Sequence, residues 1–210
     1  TLGDASTDVF TFSGGISIKE TDGPTAVSIQ GTVKTSTTAD ADIALRRTTI
    51  TSDATINSFS NGIDIYDNLL INDGVTLTVE GNRTPPNMAI YLHNTINSAS
   101  GGTGNLTLNT DYFVKLAENV GSTDALGTLT LTKGFVEWTS PDISLETLQI
   151  NQGTFGTTNP SGNMDVEDVI ISSGTTFKGP NSSGSVNVSG NWTNNGTFTH
   201  NNGVVTFDGS

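Results

Sequence analysis

A glycine returns in this chain behind one small pattern: an apolar strand, two polar residues, the glycine, then an apolar residue shortly after. "LTLTKGFVEW" carries Gly134, "LQINQGTFGT" Gly153, "VIISSGTTFK" Gly174 and "NWTNNGTFTH" Gly196, at steps of 19, 21 and 22 residues. The step is too regular for chance and too short for a globular repeat. "LLINDGVTL" places Gly74 three such periods before Gly134, and "TTITSDATI" puts Asp53 where the glycine belongs, 21 residues earlier. "VSIQGTV" with Gly31 and "TFSGGISI" with Gly15 extend the series, and only Met88 to Asp111 resists it, with "SASGGTGN" read as a longer loop.

A repeat of about 20 residues built from short strands and turns predicts a β-solenoid, whose coils bury an apolar face only by stacking. Each strand then pairs in parallel with its equivalent one coil away, at about 4.8 Å, and the same side-chain position recurs overhead. The expected inward columns are Leu131, Ile150 and Ile171, with Leu148 over Val169, and Val136, Phe155, Phe177 and Phe198 just past the glycine. Corner positions fall to Asn72-Asp73, Asn151-Gln152, Ser172-Ser173 and Asn194-Asn195, where short side chains bond local backbone and glycine takes a positive φ. Trp192 lies one place before its expected apolar position, which predicts a bulge. An antiparallel sandwich also uses short alternating strands, but it has no reason to repeat Gly-x-Phe at a fixed step.

Composition agrees with an all-β chain. Thr and Ser make up roughly a quarter of the 210 residues, while the helix formers Ala, Leu, Lys and Glu are sparse. One elongated domain over residues 1–210 is expected. The formal charge of −13 is spread thinly, with no Lys/Arg cluster to neutralise phosphates, so neither nucleic acid nor anionic lipid is an expected partner. Cysteine is absent, so packing and backbone hydrogen bonds must supply the stability. No apolar run approaches the roughly 20 residues that cross a bilayer, and Thr1 opens no signal-peptide pattern, which reads as a mature or excised piece.

"GNWTNNGTFTHNNGVVTFDGS", preceded by "VIISSGTTF" and "LQINQGTF", resembles repeats of very large bacterial surface proteins, the adhesin-like and filamentous-haemagglutinin-like β-solenoids. "TLGDASTDVFTFSGGISI" and "GTVKTSTTADADIAL" look like the same broad class. The resemblance implies a right-handed parallel β-helix, here of about ten coils, serving as a rigid extracellular rod for adhesion or as a surface coat. Neither end shows an amphipathic helix or charged cap, so the expectation is a piece of a longer rod or a subunit that stacks end to end on its own copies.

Catalysis is not expected. Asp64 and Asp67 in "GIDIYDN" differ by an odd number and point to opposite faces of a strand, and Arg46-Arg47 have Asp40 and Asp42 nearby as solvated surface. His93 and His200 are far apart and lack cysteine partners, so no metal, nucleophile or cofactor is assigned to them. Aligning "ISLETLQI" with "MDVEDVII" gathers Glu146, Asp165 and Glu167 on one outward patch, read either as a solvated acidic face or as a weak Ca²⁺ site. The Asn-x-Ser/Thr sites at Asn82, Asn105, Asn181, Asn187, Asn191 and Asn195 are as many as composition alone yields. Thr154, Thr175 and Thr197 line up as an outward hydroxyl row, expected of good strand residues more than of an ice-binding face. The reading is a structural or adhesive rod. Its alternatives are a carbohydrate-active β-helix enzyme, which needs a groove of carboxylates with a cation, and a glycan-binding module, which needs exposed aromatics in a row. Trp138 and Trp192, the large candidates for such a row, are expected to pack inward.

Overall fold

The computed structural model describes residues 9–12, 16–17, 27–35, 42–59, 62–81, 89–138, 142–156 and 160–209. Among them there is no helix, and each strand pairing is parallel. The chain winds as a β-solenoid of about seven turns, about 22 residues apart. Gly15, Asp40, Asn82 and Met88 fall outside the described residues.

Each coil has three faces. Face A holds 27–29, 48–50, Leu69–Ile71, Ile96–Ser98, Val120, 143–145, 164–166, Ser185–Val188 and Val204–Phe207. Face B holds 31–35, 54–58, Thr76–Gly81, 105–110, 128–131, 147–150, 168–171 and Trp192–Asn194. Face C holds Ile43–Leu45, Ile63–Ile65, Ala89–Leu92, 113–116, 135–138, Thr154–Phe155, Thr176–Lys178 and Thr197–Thr199.

Because side chains alternate along each strand, every second residue points inward and stacks on its equivalent in the next coil. On face B the inward column runs Val33, Ile56, Val79, Leu108, Leu131, Ile150 and Ile171, each without solvent exposure. On face C, Val136, Phe155, Phe177 and Phe198 stand in register, and the Phe155 and Phe177 ring centroids are 5.9 Å apart. Leu148 lies on Val169. Trp138 is fully buried against Phe155, and Trp192 is half-buried on the Val169 position. These columns are the expected ones. No bulge accompanies Trp192: strand 192–194 pairs in register, and the corner between faces B and C shortens instead, from four residues after Ile171 to two after Asn194. The hydroxyl row is Thr154, Thr176 and Thr197, while Thr175 turns inward and donates its hydroxyl to the Ser172 carbonyl at 2.8 Å.

The coils number fewer than ten because they are longer than 20 residues, and their length varies. Thr48, Leu69, Ile96, Val120, Ile143, Met164 and Val186 form one face A column at steps of 21, 27, 24, 23, 21 and 22 residues. The glycine series also changes corner partway. Gly31, Asp53 and Gly74 turn the chain from face A to face B, whereas Gly134, Gly153, Gly174 and Gly196 turn it from face B to face C. The long loop 99–104 is a real insertion at the first of these corners. Asp73, one coil below, accepts the Gly101 amide at 2.8 Å and the Ser98 hydroxyl at 3.2 Å.

Corner Asn and Asp side chains mostly bond the next coil rather than their own turn. The Asp142 amide donates to Asn119 Oδ1 at 3.0 Å, the Asn163 amide to Asp142 Oδ1 at 2.9 Å, and the Ser185 amide to Asn163 Oδ1 at 3.2 Å. The same step recurs between faces A and B, where Thr76, Thr128 and Asn191 donate to Asp53, Asn105 and Asp168. Each corner thus satisfies an amide that the strand ladder leaves over.

Candidate functional site

On face C, three short sequences occupy equivalent places: "IALR" at 43–46, "IDIY" at 63–66 and "IYLH" at 90–93. Their first and third residues fill the core. Their second and fourth residues therefore project outward as columns, Ala44–Asp64–Tyr91 and Arg46–Tyr66–His93. The first column continues through Lys115 to Glu137. A third column beside it carries Phe113 and Phe135, followed by Thr154, Thr176 and Thr197.

These columns bring together groups far apart in sequence. The Tyr66 and His93 rings stack at 4.7 Å between centroids, inclined by 14°, and Arg46 lies over the Tyr66 ring at 5.1 Å. Tyr91 stacks on His93 at 5.5 Å. The His93 Nε2 meets Asp64 Oδ1 at 2.7 Å, and Arg46 reaches Asp67 at 3.8 Å. Asp64 and Asp67 thus serve different partners, and Arg46 answers Asp67 while Asp42 accepts the Gly62 amide.

Farther along, the stacking geometry breaks. Phe113 stands nearly perpendicular to Tyr91, at 88°, and inclined by 61° to Tyr112. Phe135, in register with Phe113, is 54% exposed. Beside this pair, Lys115 and Glu137 face each other at 3.6 Å. The result is an outward strip of aromatic rings crossing four successive coils, from Tyr66 to Phe135, with its charges in pairs. Attention to tryptophan alone misses it. Its sequence signal is the alternation "IDIY", "IYLH", which puts an aromatic or imidazole at outward places.

The other singled-out residues stay dispersed. His200 Nδ1 accepts the Asn202 amide within its own turn at 3.0 Å. Glu146, Asp165 and Glu167 lie exposed on neighbouring coils, and Asp165 accepts the Asn187 amide group at 2.7 Å. Among the described residues no group of three or more His, Asp or Glu is placed to hold a metal ion. Asn105, Asn187 and Asn191 commit their side chains to adjacent coils. A cleft of about 350 Å³ on face A is floored by Leu70 and edged by Arg47 and Asp124, and Asn97 on its wall accepts the Thr123 amide at 3.0 Å. No family model, curated protein or solved structure matches the chain.

Proposed function

We propose that this chain is a structural and adhesive segment of an extracellular rod, carrying load along its coil axis and joining end to end with further coils. Support comes first from continuity: inward columns and parallel rungs run through the described coils without an antiparallel break. Pulling along such a stack loads many inter-coil hydrogen bonds together. The resemblance of the coils to bacterial surface-protein solenoids supports the extracellular setting.

The observation that carries the reading is that unbroken register; the joining step sets a further coil, of this chain or another, on the last described one. Trp192–Asn194, Thr197–Thr199 and Val204–Phe207 each pair with a strand on one side only. Phe207 occupies the inward column above Val188 and is 61% exposed, and Asn194 ends the aliphatic column of face B. An uncovered column beside free strand edges accepts a further parallel coil. Electron microscopy of the purified chain across a concentration series tests this. Filaments one rod wide that lengthen with concentration are expected, and Phe207→Lys shortens them. Single short particles at every concentration would overturn end-to-end joining.

A further inference from the structure

We infer that the face C strip formed by Tyr91, Tyr112, Phe113 and Phe135, with the Lys115–Glu137 pair continuing the Tyr91 column beside Phe113 and Phe135, binds a neutral polysaccharide lying along the solenoid axis. This deepens the adhesive part of the rod reading and rests on it for its setting.

Three features select that chemistry. The first is the kind of surface. The ring faces of Tyr66 and His93 are spent on each other, whereas Phe113 meets Tyr91 and Tyr112 edge to face at 5.7 and 5.2 Å, half-buried, and Phe135 beside it stands 54% exposed. Sugar rings present C–H faces of slightly positive character, which aromatic faces attract, while their hydroxyls suit flanking charged donors and acceptors. The Lys115–Glu137 pair supplies both kinds, and the Thr154–Thr176–Thr197 row continues the Phe113–Phe135 column with hydroxyls.

Charge is the second feature. The chain carries −13 overall, yet within the strip Arg46 meets Asp67, Lys115 meets Glu137, and Asp64 is hydrogen-bonded to the His93 imidazole. An anionic polymer meets repulsion from the whole molecule, and a basic partner finds no unpaired acidic cluster here. An uncharged polyhydroxylated ligand fits both facts.

Shape is the third. The strip is an open face crossing coils, not a cleft, so it suits an extended polymer better than a small enclosed ligand. Its strands are paired on both sides from 90–92 through 135–136, so an incoming peptide finds no free edge there to extend as a strand.

Native gel electrophoresis of the full chain through gels containing soluble mixed-linkage β-glucan, galactomannan, hydroxyethyl cellulose or dextran tests the inference. Retardation by at least one is expected. Phe135→Ser weakens it by about tenfold in apparent dissociation constant, and Phe135→Tyr retains it. Because Phe135 is outside the core, an unchanged thermal melt shows that the Ser variant is folded. Migration unaffected by all four polymers, or retardation equal in Phe135→Ser, would overturn the inference. So would a dimer of the chain that Phe135→Ser dissociates without any polymer effect, since the strip then belongs to a second copy. Filament formation is read separately, so loss of joining with retained retardation sinks the rod reading's end-to-end step alone.

Discussion

Two glycines with the same appearance in sequence do different work. Gly153 and Gly174 each follow an apolar strand and two polar residues, and both hold positive φ, 101° and 78°. At Gly174 an added Cβ has open space, so alanine there meets only the cost of a left-handed backbone, about 1–2 kcal/mol. At Gly153 the added atom falls 1.9 Å from the Gly134 carbonyl oxygen, one coil below. Backbone cannot rotate away as a side chain does, so two coils must separate locally. Denaturant unfolding is expected to place Gly153→Ala well below Gly174→Ala in stability, with Gly174→Asn milder than either, since Asn tolerates that conformation. Equal losses in the two alanine variants would mean that the glycine-on-glycine contact between coils contributes nothing.

Corner ladders are the elements that tie one coil to the next outside the strands. Asp142 illustrates their economy: its backbone amide donates to Asn119, and its carboxylate accepts the Asn163 amide. Asp142→Ala removes that acceptor at an exposed corner where water substitutes in part, so a loss of about 0.5–1.5 kcal/mol is expected. Asp142→Asn keeps the acceptor and should restore most of it; denaturation midpoints that fall equally for both would show that the charge matters and the ladder does not. This element also marks where sequence reasoning runs short. Hydrophobic alternation identified the inward columns, because an apolar residue at every second place has one physical reading in a half-buried strand. Asn and Asp at corners read as self-capping turn formers, which holds at Asn181 and Asn194, yet Asp42, Asp142 and Asp168 accept amides 20 or more residues away, a distance that composition does not encode. The glycine spacing misled for a related reason. Glycine marks a turn without saying which one, so Gly74 and Gly134 looked equivalent while lying at different corners. The aromatic strip was hidden likewise, since Tyr66, Tyr91 and Phe113 become neighbours only once coil lengths of 27 and 24 residues are known.

For the whole molecule, stacking makes stability a sum over neighbours: each coil is held by its own turns and by the coils above and below. Interior coils have both neighbours, and the last described coil has one. Local opening should follow that difference, because segments with fewer buried apolar contacts and unpaired edges open at lower free energy. Leu129, Leu131, Leu148 and Ile150 are fully buried between paired strands, whereas Trp192 and Phe198 are half-buried and Val204 and Phe207 are more than half exposed. Amide hydrogen exchange is expected to show strongest protection over 129–131 and 147–150 and weakest over 192–207 in dilute protein. Raising the concentration to the range where filaments form should then slow exchange over 192–207 and leave 129–131 and 147–150 unchanged, because a new coil covers only the open column. Uniform protection along the chain in dilute solution would contradict nearest-neighbour stacking as the source of stability. Protection over 192–207 that stays low within assembled filaments would place the joint elsewhere than on the Phe207 end.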